Sequence, residues 1–236
     1  MKYLKLLLLL SVITNAKNIA KIDEASGIDY CEGDKTFVVA NDEGAYFLID
    51  KKGKILDRVK LGKYDLEGVI CEKNEYIFAI EDKGILVVDK DTNKKVEVEV
   101  KRKYKGKKID IFNKKSGIEG ITKHKNIIYL AKQSKKAKTS FIAVIQYKPF
   151  PSKIVDILHH HIRDTAGLKY YDKNLYMVSD KEDLIIKYSL KKRKIVKKIK
   201  LPKGAWEGIT FGRKGDVYLA DDDGKVSKFK IKDLGL

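Results

Sequence analysis
The sequence predicts an all-β fold, a five-bladed β-propeller, on three observations. Five segments share one pattern of an acidic or small lead-in, a glycine and an apolar run. They are Glu24-Ala25-Ser26-Gly27-Ile28, Asp65-Leu66-Glu67-Gly68-Val69, Gly117-Ile118-Glu119-Gly120-Ile121, Asp164-Thr165-Ala166-Gly167-Leu168 and Ala205-Trp206-Glu207-Gly208-Ile209. Successive glycines lie 41, 52, 47 and 41 residues apart, which is the period of a four-stranded propeller blade. Finally, each glycine is followed by a β-prone run, of which Phe37-Val38-Val39-Ala40 and Val217-Tyr218-Leu219-Ala220 are the first and last.

In chain order, Lys2 and Lys5 precede an apolar stretch from Leu6 to Ile13, and Thr14-Asn15-Ala16 ends in a small residue. This is the pattern of a signal peptide over residues 1–16. The stretch is short for a membrane span, and an uncleaved anchor is the alternative. The expected mature chain, residues 17–236, is one domain, periplasmic or secreted. Asn18 to Ile22 alternates in polarity and stands ahead of the first unit. The last unit ends after a third strand near Ile231, so this segment is expected to supply its fourth strand and close the ring, which removes two exposed sheet edges. In four of the five units, acidic turns such as Asn41-Asp42-Glu43-Gly44 and Asp221-Asp222-Asp223-Gly224 separate the second and third strands. Lysine- and glycine-rich turns lead into fourth strands such as Ile55 to Leu61 and Ile195 to Leu201. The third unit is longer, with Lys132 to Thr139 read as an exposed basic excursion. A β-sandwich, or a sixth degenerate blade between residues 90 and 116, are the competing folds.

Lys and Arg number 51 against 33 Asp and Glu, a formal net charge of +18. The bases are scattered in short pairs such as Lys51-Lys52 and Lys135-Lys136, without interleaved aromatics, so nucleic acid is a disfavoured partner. Against this basic background the acids are patterned. Glu67, Glu119 and Glu207 stand directly before the inner-strand glycines, and Glu24, Asp65 and Asp164 stand three before them. A second set, which includes Asp42, Glu81, Asp82, Asp180, Asp221 and Asp222, falls in the turns between second and third strands and reads as turn chemistry. Both positions open on one face of a propeller. Crowded carboxylates repel, and a hard cation relieves them by taking six to eight oxygens. Oxygen-only donors point away from zinc and copper. The expected cofactor is Ca2+, with Glu67, Glu119, Glu207, Asp164 and Glu24 as its candidate ligands.

In the order and spacing of these motifs, above all Asp65-Leu66-Glu67-Gly68, Gly117-Ile118-Glu119-Gly120 and Trp206-Glu207-Gly208, the mature chain resembles the SdiA-regulated (YjiK-like) family. The resemblance implies an NHL-like five-bladed propeller associated with calcium. Ser26 and Ala166 stand where the pattern elsewhere has Glu.

The remaining residues are less informative. No G-x-S-x-G, P-loop or zinc-ligand spacing occurs, and no catalytic residue is assigned. His159, His160 and His161 are adjacent, so alternation along a strand keeps them from sharing one ion. Trp206 is expected to pack between strands rather than stack on a sugar or base. Cys31 and Cys71 hold equivalent places in the first two units and are either a disulfide between inner strands or two buried thiols. The expected function is a monomeric, calcium-binding interaction module of the cell envelope, with an envelope protein, a glycan or a small anionic ligand as partner. The alternative is a calcium-dependent hydrolase, lactonase-like or phosphoesterase-like, with Asp164 or Asp221 as its general base. A bare scaffold is the third reading.

Overall fold
The computed structural model describes residues 16–114 and 116–236. The leader reading therefore lies outside the described residues, apart from Ala16. No helix among them is long and apolar enough to cross a membrane.

Five antiparallel sheets surround a common axis. The first blade is β2 (Ala25–Cys31), β3 (Thr36–Asn41), β4 (Ala45–Ile49) and β5 (Ile55–Lys60). The second is β6 (Leu66–Cys71), β7 (Glu75–Ile80), β8 (Gly84–Asp89) and β9 (Lys95–Val98). The third is β13 (Ile118–His124), β14 (Ile127–Lys132), β15 (Phe141–Gln146) and β16 (Ser152–His159). The fourth is β17 (Thr165–Tyr171), β18 (Asn174–Ser179), β19 (Leu184–Ser189) and β20 (Lys194–Lys200). The fifth is β21 (Trp206–Phe211), β22 (Val217–Asp221) and β23 (Lys225–Phe229), and β1 (Lys17–Lys21) pairs antiparallel with β23 to complete it. The segment ahead of the first unit thus closes the ring, as its polarity pattern predicts.

Residues 99–113 do not build a sixth blade. β10 (Val100–Lys101) adds a short parallel edge to β16, and β11 (Lys103–Tyr104) pairs with β12 (Lys107–Lys108) as a separate hairpin. The excursion after β14 is exposed at Lys135, Lys136, Lys138 and Thr139, as expected, but not at its start. Lys132 is buried, and its Nζ donates to the Ser116 carbonyl at 2.7 Å. Ser134 and Ser140 are buried too. A lysine long enough to reach an unpaired carbonyl satisfies it without leaving the sheet.

The core lies between neighbouring blades, where β-branched and aromatic residues of one sheet meet the next. Tyr46 of the first blade, for example, packs on Tyr76 of the second at 5.0 Å between ring centroids. On the axis, the inner strands β2, β6, β13, β17 and β21 pack side by side in a closed ring. This crowding explains the repeated glycine. A Cβ at Gly27 would collide with the Glu67 carbonyl oxygen of the next blade, and one at Gly120 with the Ala166 carbonyl oxygen. Only a residue without a side chain allows that backbone approach. Cys31 and Cys71, at the far ends of β2 and β6, form a disulfide with a Cα–Cα distance of 5.3 Å.

Candidate functional site
The residue before each inner-strand glycine is special because the strand bulges there. In β2, Ala25 pairs with Asn41 and Gly27 with Ala40, which leaves Ser26 unpaired. Glu119 and Glu207 are skipped in the same way in β13 and β21. In β6 and β17 the irregularity spans Glu67-Gly68 and Ala166-Gly167. A bulge re-aims the side chain of its extra residue. Here it presents Ser26, Glu67, Glu119, Ala166 and Glu207 at one level of the ring, so three of five blades bring a carboxyl group.

Glu67 and Glu119 are only 7% and 6% exposed. Burial, then Glu119 and Glu207, holds the Glu67 carboxyl well above the usual carboxylate range. Burial likewise pushes Glu119 up to about 8, with Glu81 and Asp164 adding repulsion. Glu207 rises to about 9 through burial, Glu119 and Asp222. The Glu67 and Glu119 carboxyls are close enough to influence each other's ionisation, and two carboxyls can hydrogen-bond only when one carries a proton. Among the described residues none of the three has a basic ion-pair partner.

A second cluster lies above the seam between the fifth and first blades. Glu24 precedes β2, Asp42 is in the β3–β4 turn and Asp222 in the β22–β23 turn. One carboxylate oxygen from each lies within 4.8 Å of the others. Asp42 and Asp222 are each pushed up to about 6, in both cases by burial and then by Glu24. Asp42 Oδ1 is buried with no hydrogen-bond partner among the described residues, as is the side-chain oxygen of the adjacent Asn41. These are acceptors without donors, facing other acceptors. A proton relieves the conflict by halves, and a hard cation relieves it more fully. The donor set therefore fits a divalent ion of the calcium type.

Of the five residues singled out in the sequence, the structure places Glu67, Glu119 and Glu207 in mutual repulsion in the channel. Glu24 joins Asp42 and Asp222 at the mouth. Asp164 is half-buried, with Lys181, Lys135 and Arg163 offsetting the burial that raises its carboxyl. Asp42 and Asp222 are the partners that turn chemistry concealed. Their signal was present, since both belong to the acidic turns that open on the same face. Among the described residues, Glu67, Glu119 and Glu207 do not form a set of three oxygens within single-ion reach; the other such set, Cys31, Asp34 and Cys71, contains the disulfide.

The remaining expectations concern packing. Trp206 is buried, lies edge-on to Phe229 and donates its indole N–H to the Pro202 carbonyl at 2.8 Å. His160 is buried at the end of the third blade, and burial lowers its imidazole to about 4, while His159 and His161 are exposed.

The SdiA-regulated family profile matches residues 9–224. No curated protein matches the chain. The glutaminyl cyclase of Myxococcus xanthus is similar in structure, with a TM-score of 0.67 at 8% identity over 91% of this chain and 92% of that one. A streptogramin B lyase is similar at a TM-score of 0.50 and 15% identity, over 91% of this chain and 72% of its own. Both likenesses concern the fold.

Proposed function
The chain belongs to the SdiA-regulated family, and we propose that this member is an exported binding module that holds a calcium ion at its acidic mouth. The observation that carries the reading is the convergence of Glu24, Asp42 and Asp222 within 4.8 Å around a buried, donorless oxygen of Asp42. Glu24, Asp42 and Asp222 would hold the ion, above the channel into which Glu67, Glu119 and Glu207 project. A cation seated there would leave coordination positions for an oxygen-bearing group of a partner in the cell envelope, a glycan or a protein carboxylate.

Calorimetric titration tests the site. Calcium is expected to bind saturably at one ion per chain and more tightly than magnesium, whose octahedral demand suits this flexible set less. Asp42→Asn and Glu24→Gln are expected to weaken binding at least tenfold. Unchanged binding in both variants overturns the assignment. The same carboxylates could serve hydrolysis, which differs in requiring turnover. Lactones and phosphomonoesters supplied with calcium are expected to give no rate above that of Glu119→Gln.

A further inference from the structure
The face opposite the acidic mouth is made of the hairpins joining first to second and third to fourth strands, and it is basic. Lys51-Lys52, Lys191-Lys192-Arg193 and Arg213-Lys214 lie there, exposed. At the seam between the fifth and first blades this face holds a cavity of about 490 Å³. Its walls include Tyr30 at the end of β2, Lys51 in the β4–β5 turn, Arg213, Lys214 and Asp216 in the β21–β22 turn, and Tyr218 and Lys228 across the sheet.

The donor and acceptor balance of this pocket is one-sided. Its carboxylate, Asp216, is already held by Lys228 at 2.6 Å. Among the described residues, Lys51, Arg213 and Lys214 take part in no ion pair. The Tyr30 hydroxyl is buried and has no hydrogen-bond partner there. Lys51 Nζ sits 5.8 Å from the centre of the Tyr30 ring. Three cations without ion-pair partners therefore border a space with aromatic walls. The volume exceeds the needs of a lone oxyanion and lies in the range of small-molecule sites, about 300–1,000 Å³.

We propose that this pocket binds a small phosphate or sulfate ester carried on a flat ring. The oxyanion would be held by Arg213, Lys214 and Lys51, with Arg213 able to engage two of its oxygens. The ring would lie against Tyr30 and Tyr218. The inference is independent of the reading of the acidic mouth.

The test uses the full chain in chelator, so that no ion at the mouth contributes, titrated with phenyl phosphate, phenyl sulfate and inorganic phosphate. At least one phenyl ester is expected to bind saturably and at least tenfold more tightly than inorganic phosphate, and the stronger of the two identifies the oxyanion. Arg213→Ser/Lys214→Ser is expected to weaken binding at least tenfold with its thermal unfolding unchanged. Lys191→Ser/Lys192→Ser removes equal charge from another hairpin of the same face and is expected to change affinity less than threefold. Equal losses in the two double variants would mean diffuse attraction and overturn the site. So would absence of saturable binding by either ester, or equal affinity for the esters and inorganic phosphate.

Discussion

The two ends of the central channel treat buried carboxylates in opposite ways. Toward the basic face, Asp29 of β2 is 2% exposed and fully partnered. Its Oδ1 accepts from Thr210 Oγ1 at 2.8 Å, from the Tyr30 amide at 2.8 Å and from Lys169 Nζ, and its Oδ2 accepts from the Cys71 amide at 2.9 Å. One carboxylate thereby ties together the first, second, fourth and fifth blades. At the acidic end of the channel, Glu67 and Glu119 are buried and Glu207 is half-buried, and among the described residues none has a basic ion-pair partner. The difference separates an end where a buried charge is fully satisfied from one where acids face acids. A satisfied buried charge is a structural tie, whereas uncompensated ones persist at a cost that binding can remove.

The largest expected effect lies at the satisfied end. Asp29→Ala leaves a largely buried Lys169 without its counter-charge and strands the Thr210 and Cys71 donors. Chemical unfolding should report a loss of about 3–5 kcal/mol. A loss below about 1 kcal/mol would dissolve the comparison. Cys31→Ser/Cys71→Ser removes a staple spanning 40 residues of chain at the same end, with an expected loss of about 3–4 kcal/mol by loop-closure entropy.

At the mouth the sign reverses. Glu207→Gln removes a carboxyl that the native state must hold protonated, so the metal-free protein should gain about 1–3 kcal/mol at pH 8. Destabilisation instead would mean that Glu207 has a favourable partner. The pH profile sharpens this. Glu119 and Glu207 are raised from the usual 4.5 to about 8 and about 9. Between those values and 4.5 the native state holds protons that the unfolded chain has released. Their stability contribution is therefore greatest below about pH 4.5 and is lost as pH rises toward 8–9. Metal-free protein should melt at lower temperature at pH 8 than at pH 5.5, and Glu207→Gln should flatten that slope.

How much of this was legible in the sequence follows the same division. The blade count and the Glu-Gly register were readable because each repeats along the chain, and the closing strand because the last unit lacked a fourth. The bulge that aims Glu67, Glu119 and Glu207 inward was not, since it depends on register against a partner strand. Asp29 was invisible for a related reason. It is a single acid in an apolar run, and its partners Cys71, Lys169 and Thr210 lie 42, 140 and 181 residues away. Asp42 and Asp222 were seen but read as turn formers, because their meeting with Glu24 occurs only where the last blade joins the first. Lys132 looked exposed in a lysine-rich stretch until the Ser116 carbonyl gave its ammonium a partner.

The most direct test of the central claim is thermal unfolding at pH 8 of the chelated protein and of the same protein with calcium, alongside Asp42→Asn/Asp222→Asn. At a hundredfold excess over its dissociation constant, an ion bound only by the native state adds about 2.7 kcal/mol, or about 5–10 °C for a domain of this size. The account predicts that rise in the unaltered protein and its loss in the double variant. No rise, or an equal rise in both, would contradict a calcium site at the acidic mouth.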